Sequence, residues 1–301
     1  MGGERYRKNR DMDIKQMEIH LDLYKDKGKK SYTLKSKDLK KDFRYPSILS
    51  IAGLDPSGCA GLLIDIRVIR SLGFHPCGVV TALTLQNTCH AEGYEVVPHD
   101  LMRKQITEIF KDLNVLGVKI GLLNSLESAE AVEMALGDFD GFVVLDPVIK
   151  STTGLNFFET DVKNIFERLA GVVDVITPNI FEAELISYLK IKTVDEAKKA
   201  AKKISEMFEC STIITGGGLG GRDVVFERKT GEVFTVEAEF SPVEIRGTGC
   251  VYSTALTCYL SKGNKLVDAA RLARVYLLET VKRAKPAGKC HPCVDPWVFE
   301  G

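Results

Sequence analysis

Residues 47–61 read Ser47-Ile48-Leu49-Ser50-Ile51-Ala52-Gly53-Leu54-Asp55-Pro56-Ser57-Gly58-Cys59-Ala60-Gly61. Residues 48–52 are a short apolar run of the length and composition of a buried strand. The segment rich in glycine and proline at 53–61 ends that strand, and residues 60–72 then take up helical spacing. This strand–loop–helix unit recurs. Further strands are expected at 78–82, 115–120, 142–145, 172–176 and 212–215, with helices at 100–113, 125–136, 159–169 and 193–207. Alternation of this kind predicts an α/β fold, a mainly parallel sheet covered by helices on both faces. A hairpin at 223–227 and 233–238 interrupts it, and helices near 249–261 and 266–284 follow.

With 301 residues, 45% of them hydrophobic and 27% charged, the chain lies in the globular range. No apolar run approaches the ~18 residues that span a bilayer, and the N-terminal stretch lacks the apolar core of a secretion signal. A cytoplasmic protein without a membrane partner is expected. The eight cysteines are scattered rather than regularly spaced, so reduced thiols are expected. Cys290-His291-Pro292-Cys293 offers two thiols, but no second pair stands at finger-like spacing to close a zinc site.

Charge divides the chain. Residues 1–45 hold 14 Lys/Arg against 8 Asp/Glu, whereas residues 46–301 hold 27 against 33. The contrast marks a basic N-terminal extension, 1–45, ahead of a main domain, 46–301. Within the extension Met17, Ile19, Leu21 and Leu23 alternate with polar residues before a turn at Asp26-Lys27-Gly28, the pattern of a β-hairpin. Its charges are mixed in sign and lack an aromatic platform, which favours a solvated arm over a nucleic-acid partner.

In a parallel α/β sheet, ligands bind beyond the carboxyl ends of the strands. Polar and glycine-rich segments fall at those ends here, at 53–61, 86–88, 119–122, 146–154, 177–184 and 216–221. Gly247-Thr248-Gly249-Cys250 joins them where a helix begins. Its glycines admit close approach of a phosphate, and the helix dipole favours an anion there. The same position is expected to lower the Cys250 pKa, making the thiol a candidate to accept or relay a proton. Gly216-Gly217-Gly218-Leu219-Gly220-Gly221 contains a dinucleotide-type glycine pattern, but a strand follows it instead of the required helix. Gly53 and Gly58 have Walker A spacing, yet Cys59-Ala60 replaces the Lys-Ser/Thr pair.

These segments, taken in order, resemble the hydroxymethylpyrimidine/phosphomethylpyrimidine kinases of the ribokinase superfamily. The matching pieces are residues 52–61 with Asp65, 81–88, 118–121, Asp146-Pro147-Val148, 177–184 and the 247–250 turn. They cover roughly residues 47–285. The resemblance implies a ribokinase-like three-layer sandwich that uses ATP and Mg²⁺ to phosphorylate an aminopyrimidine. Gly53, Asp65, Gln86 and Leu122 would line the substrate pocket. Gln86 suits that role because an amide offers both partners required by a ring nitrogen beside an exocyclic amine. Gly247, Thr248, Gly249 and Cys250 would carry out transfer. Asp146, Asn179, Glu182, Thr215 and Gly217 would serve ATP and metal, with Asp146 and Glu182 holding Mg²⁺ through water. Asn179 is also a good helix N-cap.

The chain departs from the family pattern at several positions. Thr215-Gly216-Gly217-Gly218 stands where Lys-Gly-Gly-His is common, Thr152 aligns with a lysine, Leu122 with a methionine and Arg246 with a histidine. A cation near the phosphates is thereby lost, for which Arg246 or Lys150 could substitute. A homodimer or higher homo-oligomer is the expected assembly. The rival readings are a pyridoxal kinase of the same fold and a non-catalytic pyrimidine sensor.

Overall fold

The computed structural model describes residues 44–150, 157, 162–237 and 245–296. The hairpin expected within residues 17–34 lies outside them, as does Thr152. The opening stretch forms β1 (Pro46–Leu54), a loop and α1 (Gly61–Ser71). β2 (His75–Gln86), β3 (Ala91–Val96), α2 (His99–Asp112), β4 (Asn114–Ile120), α3 (Leu126–Leu136) and β5 (Phe142–Leu145) come next. After α4 (Val162–Glu167) run β6 (Val175–Ile176), α5 (Ile180–Ser187), α6 (Val194–Phe208) and β7 (Ser211–Ile214). The hairpin is β8 (Arg222–Glu227) and β9 (Glu232–Glu237), followed by α7 (Thr248–Ser261) and α8 (Leu266–Lys282).

The nine strands form one sheet in the order β3-β2-β1-β4-β5-β6-β7-β8-β9. All pairs from β2 to β7 are parallel, and β3, β8 and β9 add antiparallel edges. Alternation along each strand divides the core in two. Leu49, Ile51, Val118, Ile120, Val143 and Leu145 pack with the helices α2 to α6 on one face. Ile48, Val144, Val175 and Ile213 face α1, α7 and α8 on the other. The expected three layers are therefore present. β3 had no apolar run to announce it: Ala91-Glu92-Gly93-Tyr94-Glu95-Val96 is a partly charged edge strand. Among the described residues no helix is long and apolar enough to cross a membrane.

The expectation of reduced thiols is overturned at four cysteines. Cys59 is bonded to Cys293 and Cys89 to Cys290, across sequence separations of 234 and 201 residues. Spacing along a chain reports only neighbours, so such pairs are invisible to it. Cys77, Cys210, Cys250 and Cys258 are free thiols. The tail that carries Cys290 and Cys293 is hydrogen-bonded as well. Cys293 N donates to the Lys285 carbonyl at 3.0 Å, Arg246 N to the Pro292 carbonyl at 3.0 Å, and His291 N to the Thr88 carbonyl at 3.3 Å. This tail closes against two loops at the carboxyl edge of the sheet.

Cross-links over such long loops should each contribute about 2–4 kcal/mol. We expect denatured, unreduced protein to take up alkylating reagent at four cysteines, and reductant to lower the melting temperature. Mass spectrometry showing eight modified cysteines without reductant would contradict the pairing.

Candidate active site

Strand order sets the position of the site. β1 lies between β2 and β4, so the chain leaves β1 to one side and later returns to the other, opening a crevice at their carboxyl ends. A cavity of about 200 Å³ occupies this place. It collects Gly53 from the end of β1, Gln86 from β2, and Lys119 and Leu122 from β4 and the turn after it. Asp146, Asn179, Glu182 and Thr215 follow β5, β6 and β7, while Gly247, Thr248, Gly249 and Cys250 close it from the start of α7.

Two expected residues are not in the lining. Asp65 is fully buried beneath the cavity, where its carboxylate accepts from Ser50 Oγ (2.6 Å), Lys119 Nζ (2.9 Å) and Thr254 Oγ1 (2.8 Å). These bonds tie it to α7 and the sheet, so in this structure it supports the pocket from beneath and does not line it. Gly217 belongs to a 3₁₀ turn, Gly216–Leu219, outside the lining.

Lys119 was part of a matched segment but not an expected site residue. The period of β4 explains its placement, since Val118 and Ile120 enter one core layer and the residue between them must enter the other. There Nζ meets Asp65 and also Asp146 Oδ2 at 3.8 Å. Burial works against the ammonium, but Asp65, Cys250 and Asp146 together hold its pKa above the ordinary value. Burial is also the main cause that raises Asp146, against the pull of Lys119 and of Ser253 Oγ, which donates to Oδ2 at 3.0 Å.

Asn179 and Glu182 form a capping box at the start of α5. Asn179 Oδ1 accepts from Glu182 N, and Glu182 Oε2 accepts from Asn179 N, both at 2.9 Å. The cap fixes the Glu182 carboxyl in the cavity wall. Burial, then the neighbouring Asp146 charge, pushes its pKa up to about 8.

The start of α7 is open. Gly247, its N-cap residue, has φ of 86° and offers no side-chain cap. A Cβ at this position would strike the Cys59 carbonyl, so glycine is required by conformation and by contact. The first N–H groups of the helix are left for an anion. The expected acidification of Cys250 is reversed, however. Exclusion of water, reinforced by Asp65 and Asp146, pushes its thiol up to about 12 despite Lys119 and a hydrogen bond from the Gly61 backbone. The free protein therefore holds a thiol, not a thiolate.

Arg246 is not a free phosphate ligand. It is 2% exposed, and its Nη2 donates to Asp55 Oδ2 and to Gln86 Oε1 at 3.1 Å each, while Nη1 donates to the Asn87 carbonyl at 2.8 Å. Lys150 also lines the cavity.

Residues 55–295 match the family model described as phosphomethylpyrimidine kinase. A hydroxymethylpyrimidine/phosphomethylpyrimidine kinase of Aquifex aeolicus is 37% identical over 254 residues, covering 82% of this chain and 98% of the relative. The crystal structure of a Clostridium difficile phosphomethylpyrimidine kinase superposes with a TM-score of 0.68 at 28% identity, over 79% of this chain and 100% of its own. An ADP complex of Bacillus subtilis pyridoxal kinase gives 0.74 at 27% identity, over 85% and 98%.

Two titrations test this site. Because the Glu182 pKa is raised on folding, its protonated form stabilises the protein below its ordinary value of 4.5, and that stability is lost as pH rises through about 8. In metal-free buffer, Glu182→Gln should have a melting temperature that gains on the wild type between about pH 5 and about pH 9. A constant difference would refute the shift. Native Cys250 should react with iodoacetamide at neutral pH at least ~10-fold more slowly than an ordinary thiol, as peptide mapping would report.

Proposed function

The chain belongs to the phosphomethylpyrimidine kinase family, and we propose that it transfers the γ-phosphoryl group of ATP to the hydroxymethyl oxygen of 4-amino-5-hydroxymethyl-2-methylpyrimidine, and then phosphorylates that monophosphate, in thiamine biosynthesis. One juxtaposition supports this reading above the rest. The uncapped start of α7 opens into the same cavity as the Gln86 amide and the Asp146 and Glu182 carboxylates. An anion, a heterocycle and a cation thus have adjoining places.

In this reading the heterocycle lies against Gly53, Gln86 and Leu122, with its hydroxymethyl group between Cys250 and the γ-phosphate. The alcohol oxygen bonds to γ-phosphorus as the bond to the bridging β–γ oxygen breaks, ADP departs, and the alcohol proton is released. Gly247 to Cys250 direct backbone N–H groups at the charge on the moving phosphoryl group. Such transfers depend mainly on alignment and electrostatics. Cys250 starts as a thiol, so it can pass the proton only as a relay, giving up its own as it takes the substrate's. Lys150 and Thr215 lie on the nucleotide side.

Asp146 and Glu182 fit Mg²⁺. They are hard oxygen donors facing one cavity, and burial away from water, reinforced by neighbouring carboxylates, is what raises both pKa values, a cost that a bound cation would offset. Held by them through water, the ion would supply counter-charge to the triphosphate. A reaction consuming ATP suits the cytoplasm, and the two disulfides would then have to persist there, as disulfides do in intracellular proteins of hyperthermophiles. Exposed Leu83, Leu85 and Val96 on the β2–β3 edge suit the expected homo-oligomer.

An ADP-release assay over the aminopyrimidine alcohol, its monophosphate and pyridoxal tests the proposal. We expect both pyrimidines to be turned over with kcat/KM above that of pyridoxal. Turnover of pyridoxal alone would assign the chain to the other branch of the fold, and binding without ADP release would make it a sensor. Cys250→Ala should lower kcat about 100-fold or more with the KM for ATP little changed. Wild-type turnover in that variant would remove the thiol from the mechanism.

A further inference from the structure

We propose that Arg246 determines which heterocycle this pocket accepts, by fixing which way the Gln86 amide faces; the inference rests on the aminopyrimidine kinase reading above. The two ends of a glutamine amide have nearly the same shape and opposite hydrogen-bonding character. Left alone, such an amide can flip to suit either a donor–acceptor edge or its reverse. Gln86 is not left alone. Arg246 Nη2 donates to its Oε1 at 3.1 Å, and a guanidinium has no acceptor to offer. A flipped amide would direct N–H at N–H in a site where Arg246 is 2% exposed.

The guanidinium is itself held in place. Asp55, 1% exposed, accepts from Nη2 at 3.1 Å through Oδ2, and its Oδ1 accepts from Ser57 N (2.9 Å) and Ser57 Oγ (2.7 Å). Nη1 is occupied by the Asn87 carbonyl. The backbone of Arg246 is paired on both sides with the tail, through Pro292 and Val294.

The fixed amide offers a definite pattern. Oε1 keeps one lone pair and Nε2 keeps its donors, so the complementary ligand edge is a donor beside an acceptor, in one order only. The exocyclic amine and ring nitrogen of an aminopyrimidine supply that order. A pyridine aldehyde sets its carbonyl oxygen beside the hydroxymethyl arm, where the pyrimidine has its amine. That oxygen would oppose Oε1. Arg246 is thus a positioning residue for specificity, acting through Gln86.

The test compares wild type, Arg246→Lys and the pair Arg246→Met with Asp55→Asn, which removes both buried charges together. Each is also made with Gln86→Ala. For every protein, kcat and KM are measured for the aminopyrimidine alcohol and for pyridoxal, and Kd for both ligands by calorimetry. We expect the aminopyrimidine-to-pyridoxal preference to fall about 10- to 100-fold without the guanidinium. The change should appear in KM and Kd for the heterocycle while KM for ATP holds, and it should vanish in the Gln86→Ala background. An unchanged preference in a folded variant overturns the inference. So does an equal loss with and without Gln86, since that marks a purely structural role. If the paired variant does not fold, Arg246→Lys decides, because it keeps charge beside Asp55 but cannot also bridge Gln86 and Asn87. Should the wild type release no ADP, the kinase reading falls, and the Kd ratios alone still decide the role of Arg246.

Discussion

The carboxyl groups of Asp146 and Glu182 and the Lys119 ammonium line the cavity, and the Asp65 carboxylate lies buried beneath them, bonded to Lys119. Their arrangement governs the site. Asp65 on α1 takes up Lys119, a serine of β1 and a threonine of α7, so one side chain joins both strands of the crevice to the helix whose start closes the cavity. Removing one partner from a buried pair of this kind costs far more than the pair contributes net, because the other charge is stranded. That asymmetry holds the helix start in register with the strand ends.

The same arrangement leaves negative charge in excess. Asp146 and Glu182 are both held above their ordinary pKa values, a cost the folded protein bears when its site is empty. A ligand that carried positive charge into the site would offset that cost, so the raised pKa values and the affinity for such a ligand would be linked. The thiol of Cys250 belongs to this balance as well. Sequence position alone argued for an acidic thiol at a helix N-terminus, but burial away from water, reinforced by Asp65 and Asp146, outweighs it.

Much of the architecture could be read from residues 47–61 and their repeats, because strand and helix periods are local properties. The segments that hold Gly53, Gln86, Asp146 and Glu182 were legible as strand ends, and the family resemblance singled out those residues and Cys250 as pocket residues. Depth was not legible. Asp65 and Lys119 differ by 54 positions, and only the packed fold shows that they pair at the base of the cavity. Arg246 stood out as an unusual residue before a glycine turn, yet its hold on Gln86 spans 160 positions. The disulfides are longer still, and β3 carries too many charged residues to announce itself.

The tail around Cys290 and Cys293 gives the site an unusual place in the order of synthesis. The loops at Cys59 and Cys89 leave the ribosome early, but the segment that fastens them is made more than 200 residues later. The two core layers can condense as their helices emerge, whereas the wall around Arg246 must wait for partners near residue 293. Maturation of the pocket is thereby separated in time from formation of the fold that carries it.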